Sequence, residues 1–253
     1  MIYRHAAMAI FDCIHDESYD KIIGFVGTLS GIDETDDRGY TLLRYAVQFS
    51  MNHPWGILVV KYLIDRGANV NYRNPSDKCY NLLCCAAFYG CIGSAKLLYA
   101  AGVDIETPPG ITPPLARANL RPLMMKYLIG IGCDPNYKDE HNTTLLMVVS
   151  KRGLLESVCV LLSAGVNIES VDTYGYTALR YAQGCDEDGI PYDNGYERYP
   201  KVCYFIRAEI AMRAERVLAF AMAGNSRLGE NTNMRDFDPH LIDFICKLVH
   251  ERS

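Results

Sequence analysis

Long apolar runs are missing: no stretch of ~18 or more apolar residues occurs in the 253-residue chain, which excludes a spanning helix of the usual length. Basic excess is missing too. Lys and Arg number 25 against 30 Asp and Glu, a net charge of −5, so a strongly basic nucleic-acid-binding surface is not expected. Gly (20) and Pro (11) stay at ordinary levels, which rules out collagen-like and low-complexity chains. The opening residues, Met1 to Ala6, lack a basic end followed by a long apolar core, so no secretory signal is expected. What the chain does have is 49% hydrophobic and 22% charged residues, the balance of a globular protein.

Signatures of chemistry are also scarce. There is no G-x-S-x-G, and Gly90-Cys91-Ile92-Gly93-Ser94 lacks the Lys of a phosphate loop and reads as a connection between helices. Asp186 and Asp188 invite a calcium loop, but Ile190 and Pro191 stand where an acid or Asn and a Gly are needed. Cys84 and Cys85 are adjacent on a helix and point different ways, so with Cys79 and Cys91 they do not easily share one tetrahedral zinc. Cys246 and His250, with His240, offer two ligands of a site; a buried thiol and an exposed His is the better reading. None of His5, His15, His53, His141, His240 and His250 has a nucleophile or carboxylate at motif spacing. The expectation is a non-enzyme with no metal and no cofactor.

The ten Cys follow no framework, and several lie in apolar stretches, as at Cys84-Cys85, Cys159 and Cys246. Small buried thiols of this kind belong to a reducing, intracellular compartment. The cytoplasm is expected; no basic cluster stands out as an import signal, and the nucleus stays open.

Self-similarity at a period near thirty residues organises the chain. One half of the pattern is a helix end, a Gly and a polar turn. It reads Leu63-Ile64-Asp65-Arg66-Gly67-Ala68-Asn69-Val70-Asn71 and recurs at Leu98–Glu106, Leu128–Asn136 and Leu161–Glu169. Gly67, Gly102, Gly132 and Gly165 are placed to end a helix in the left-handed conformation, with Leu63, Leu98, Leu128 and Leu161 facing inward one turn earlier. The other half is a polar turn that enters a short helix, as in Asp37-Arg38-Gly39-Tyr40-Thr41-Leu42-Leu43-Arg44-Tyr45-Ala46. It returns at Asp77–Ala86, Asp139–Leu146 and Asp172–Ala182. Thr41, Thr144 and Thr177 are placed to cap that helix, and Asp37, Asp77, Asp139 and Asp172 to hold the turn through backbone hydrogen bonds.

Together the two halves resemble the ankyrin repeat, over residues from about 3 to 206. Helix starts at Thr41, Asn81, Pro113, Thr144 and Thr177 give spacings of 40, 32, 31 and 33. The longest reflects an insertion around residues 50–56. The unit from Pro108 to Asn136 is short and degenerate, with Pro122 suited to the first turn of its second helix. Residues 3–35 have lost the turn signature and read as an amino-terminal cap, which a stack requires. The fold expected is an all-α ankyrin-repeat solenoid of about six units closed by C-terminal capping helices, with a stack over 1–206 and a C-terminal helical extension over 207–253.

Residues 185–199 hold five acids and one base, an acidic, Tyr-rich loop inserted in the final unit. A long helix is expected from about Pro200 to Ala223, ended by Gly224, ~36 Å at 1.5 Å per residue. A loop-like stretch follows, then a last helix capped by Asp238 with Pro239 in its first turn and an apolar stripe that includes Leu241, Ile245 and Leu248. This helix reads as a cap. Asp238 to Leu248 also faintly resembles the opening of an F-box, which implies docking to a ubiquitin-ligase component.

The ankyrin resemblance implies a protein partner, gripped by turn tips and first-helix edges on the concave side. The tips are Arg38 and Tyr40, Lys78 and Tyr80, Glu140 and Asn142, and Thr173, Tyr174 and Tyr176; the edges are Gln48 and Phe49, Phe88 and Tyr89, and Lys151 and Arg152. Tyr40, Tyr80, Tyr174 and Tyr176 are expected to be exposed, and Tyr and Arg supply interface hot spots. The shortened fourth unit is expected to break the groove into two patches. The function expected is a non-catalytic recognition module or scaffold. The alternatives are a substrate-recruiting adaptor of a ubiquitin ligase and a structural subunit of a larger assembly. No nucleic acid and no membrane insertion are expected.

Overall fold

The computed structural model describes residues 24, 31–51, 56–74, 81–108, 111–184 and 198–228, with backbone alone for 217–228. Among the described residues the structure is a row of helix pairs without strands. The second unit holds α1 (Leu42–Phe49) and α2 (Gly56–Asp65), and the third α3 (Leu82–Tyr89) and α4 (Ile92–Ala100). The fourth holds α5 (Pro114–Arg117) and α6 (Pro122–Gly130), and the fifth α7 (Leu145–Lys151) and α8 (Leu155–Ser163). The sixth holds α9 (Ala178–Gln183) and the start of α10 (Pro200–Leu228). The expected first unit and last helix lie outside the described residues, apart from residue 24 and the turn from residue 31.

Local chemistry sets these boundaries. Thr41, Asn81, Thr144 and Thr177 have extended backbone, and each side chain accepts a hydrogen bond from the amide three residues on. Pro113 takes the same place without a side-chain cap, and α5 is only four residues long. Gly67, Gly102, Gly132 and Gly165 have φ of 87°, 83°, 103° and 76°, where any side chain would be strained.

Packing runs both within and between units. α1 lies on α3, α2 on α4, α7 on α9 and α6 on α8, while α10 packs on α8 and α9. Leu63, Leu98, Leu128 and Leu161 are wholly buried in one core that runs from Leu42 to Ile206. Each contributes roughly 1.5–3 kcal/mol by leaving water. Val202, Cys203 and Ile206 bury the first turns of α10, and Arg213 Nη1 donates to the Val166 carbonyl at 2.7 Å beyond α8.

Side-chain clips tie the turns of neighbouring units. The Asn71 amide donates to the Gly102 carbonyl at 3.0 Å and accepts from the Asp104 amide at 2.7 Å. Asn136 accepts from the Asn167 amide at 2.8 Å.

Two expectations are corrected. The turn carboxylate of the second unit is Asp36, not Asp37: Asp36 Oδ1 accepts from the amides of Arg38 and Tyr40, both at 2.9 Å. Asp139 and Asp172 do the same for their own units, five residues before the cap. Asp37 is one residue out of that register, and Asp77 lies outside the described residues. The second correction concerns α10, which runs through Gly224 to Leu228. A lone Gly costs a helix interior about 1 kcal/mol and does not stop it without a turn behind it.

Candidate partner-binding surface

Counting from each cap gives two series of positions at the ends of the first helices; in the fourth unit they lie past the end of α5, and Arg121 is the N-cap of α6. Seven residues past the cap stand Gln48, Phe88, Leu120 and Lys151; eight past stand Phe49, Tyr89, Arg121 and Arg152. None of these eight is acidic and three are cationic. Phe88 is 49% exposed and Leu120 60%, with Lys151 and Arg152 also exposed. Phe49 and Tyr89 are half-buried against the core, where their rings support the row from beneath.

Leu120 and Arg121, in the degenerate fourth unit, are not among the residues expected from the sequence. Arg121 bridges units. Its Nε donates to the Phe88 carbonyl at 3.0 Å, and its Nη2 lies 3.9 Å from Met51 Sδ. Gly90 makes this possible: a Cβ there would lie 2.6 Å from Arg121 Cδ. On this edge Arg121 thus ties the fourth unit to the third. The distance of these residues from Pro113 carried the signal in the sequence.

Arg44 was also missed. It is buried, with its guanidinium 4.9 Å from the Tyr40 ring centroid and 6.0 Å from that of Tyr89, and its Nη1 donates to Gln48 Oε1 at 2.9 Å. One cation thus locks the aromatic wall of the second and third units together.

The turn tips are less uniform than expected. Tyr174 is 71% exposed, while Tyr40 and Tyr176 are half-buried, which corrects their expected exposure. Each lies edge-on against a tyrosine of its own first helix, Tyr40 on Tyr45 at 5.7 Å and Tyr176 on Tyr181 at 6.0 Å. Arg38 is exposed, as are Glu140 and Asn142. Asn142 has φ of 58° and fills the place of Gly39 and Gly175, a left-handed position that Asn tolerates. The equivalent of Arg38 and Tyr174 in the fifth unit is therefore His141, not Glu140; the Asp37 register error had shifted it. His141 is exposed, and its carbonyl accepts from the Thr173 amide at 3.0 Å. Lys78, Tyr80, Leu241, Ile245 and Leu248 lie outside the described residues.

The far end of the row is closed by α10. The amides of Arg198 and Tyr199 donate to the carbonyls of Gln183 and Ala182 at 3.0 and 3.1 Å, and the Tyr199 ring covers Gly153. Lys151 Nζ lies 5.5 Å from the Tyr181 ring centroid. Burial pushes the Cys133 thiol up to about 12, so it stays protonated at neutral pH. Among the described residues no helix is long and apolar enough to cross a membrane.

Comparison with known proteins agrees with this geometry. Residues 128–182 match the family model for ankyrin repeats in many copies, and residues 38–75 match that for the ankyrin repeat. Glycerophosphocholine phosphodiesterase gde1 of Schizosaccharomyces pombe is 30% identical over 103 residues, which is 40% of this chain and 9% of that protein. The chain thus spans under a tenth of that relative's length. The matched units, the capped first helices and the helical stack together make this chain an ankyrin-repeat protein, a protein-interaction module.

Proposed function

We propose that the chain is a non-catalytic recognition module that grips a protein partner with the first-helix edges of its second to fifth units. The observation that carries this is the set Phe88, Leu120, Arg121, Lys151 and Arg152 at or just past the ends of successive first helices, apolar and cationic with no acid among them. Such a row suits a partner segment of acidic and aromatic character. Arg38 and Tyr174 offer exposed side chains at the turn tips, where Tyr40 and Tyr176 are half-buried. The buried cysteines Cys84, Cys85, Cys91, Cys133 and Cys203 suit an intracellular, reducing setting. The match to a phosphodiesterase covers too small a share of that protein for its chemistry to be carried over.

Affinity purification of the full chain from its native cell, read by mass spectrometry beside a Phe88→Ala/Lys151→Ala variant, tests the reading. It stands if one set of proteins is lost with the variant and fails if both retrieve the same set.

A second reading adds a docking function to the C-terminal segment. The stripe Leu241, Ile245 and Leu248 in the sequence would bind a ubiquitin-ligase component while the stack selects a target. A chain ending at Gly224 would then lose that component and keep the others. Retention of every partner would leave the segment as a cap on the stack.

A further inference from the structure

On the opposite, turn-bearing edge, the stack opens between its third and fourth units. The clip residue four places past the turn Gly is Asn71 in the second unit and Asn136 in the fourth, and both reach the next turn. The same place in the third unit is Glu106, whose carboxylate cannot donate to a carbonyl as the Asn71 amide does. Among the described residues Glu106 makes no such clip to Gly132 or Asp134. The tip beside it is also altered: Pro108 replaces the carboxylate that Asp36, Asp139 and Asp172 supply, five residues before the cap.

A cleft of about 360 Å³ fills that gap. Ile105, Pro113 and Leu115 give it apolar walls, Tyr137 closes one side, and Glu106 and Asp134 are exposed on its rim. Asp134 already accepts from the Asn136 amide through Oδ1, which fixes its position and leaves Oδ2 for another donor. Asp139 and Glu140 add negative charge next to Tyr137, whose phenol burial and these two carboxylates push up. Among the described residues no cation pairs with Glu106 or Asp134; the nearby Arg73 is paired with Asp104 at 2.5 Å.

We propose that this cleft receives an arginine side chain from a partner polypeptide, the guanidinium spanning Glu106 and Asp134 and its stem lying on Ile105, Pro113 and Leu115. A guanidinium is planar and weakly hydrated, stacks on flat rings, and matches two carboxylates at once. The volume is at the low end of ligand pockets, ~300–1,000 Å³, and suits one side chain. By donating to Glu106 in the turn of the third unit and to Asp134 in that of the fourth, the guanidinium also braces the two units against each other. This site lies away from the first-helix row and does not depend on the function proposed there.

Methyl-resolved NMR of the full chain, titrated with N-acetyl-arginine N-methylamide, tests the proposal. Saturable shifts are expected at Ile105, Ile111 and Leu115. The citrulline analogue, isosteric and neutral, should bind about tenfold more weakly, as should arginine to the Glu106→Gln/Asp134→Asn variant. Asn at 134 keeps the acceptor for the Asn136 amide. Should the double variant lose thermal stability, the citrulline comparison on the native chain decides alone. Equal shifts with citrulline, or shifts centred away from these methyls, would overturn the proposal.

Discussion

Tyr181 Oη donates to Asp172 Oδ2 at 2.6 Å, and Tyr45 Oη to Asp36 Oδ2 at the same distance. Both pairs span nine residues, from the turn carboxylate to the second turn of the first helix. The other carboxylate oxygen of each Asp holds two backbone amides. One side chain thus fastens a turn to its helix and sets the angle at which Tyr40 or Tyr176 is held. Tyr181→Phe removes one charge-assisted hydrogen bond and is expected to cost about 1–3 kcal/mol. Asp172→Ala is expected to cost more, since it leaves three donors without their acceptor. Urea denaturation of both variants and of the double variant gives the coupling.

Tyr45 makes the same link sensitive to alkali. Burial, then its hydrogen bond to Asp36 and the charge there, holds its phenol well above the usual range. The folded chain therefore keeps a proton that the unfolded chain releases from pH ~10 upward. The stabilisation is complete below that pH and is lost as pH rises towards the folded value. The stability difference between native chain and Tyr45→Phe is expected to be constant from neutrality to about pH 9 and to shrink above about pH 10. A difference that grows with alkali would reverse the sign.

Gly153 is the tightest joint in the far end of the stack. Its φ is 69° and the Tyr199 ring sits where a Cβ would stand. Gly153→Ala is expected to cost about 1–3 kcal/mol and to push Tyr199 away, loosening the start of α10. Hydrogen exchange should show faster exchange at Val202 to Ile206 before any change in α3 or α4. Uniform acceleration would mean that α10 is not held through this contact.

Much of the fold was legible because the repeat rests on backbone demands that few residues meet. All five first-helix caps, Pro113 among them, fall where the repeat pattern puts them, as does the start of α6 at Pro122. The turn glycines declared themselves for the same reason. What stayed hidden was register within the tips. Asp36 and Asp37 are adjacent identical residues, and only the backbone amides they face tell them apart; choosing the wrong one moved the fifth tip from His141 to Glu140. Arg121 was hidden for another reason. Its role depends on reaching across Gly90 to a neighbouring unit, which no pattern within one repeat records.

Core packing gives a fourth outcome. Leu128 is wholly buried in α6, beside the four-residue α5. Leu128→Ala is expected to cost about 2–5 kcal/mol. Because each unit contacts its neighbours, the loss should show first as faster hydrogen exchange in α5 and α6, with α1 and α2 protected longer. Loss of protection in all units together would show a stack that opens only as a whole.

The central claim, that the first-helix row binds the partner, is tested most directly by affinities for the protein retrieved with the full chain. Alanine at Phe88, Arg121 and Lys151 is compared with alanine at Leu58 and Tyr99, exposed on the second helices. The account predicts that Phe88→Ala weakens binding by about tenfold or more, with Arg121→Ala and Lys151→Ala close behind, and that the second-helix variants bind as the native chain does. Undiminished binding by all three row variants, with loss at Leu58 or Tyr99, would contradict it.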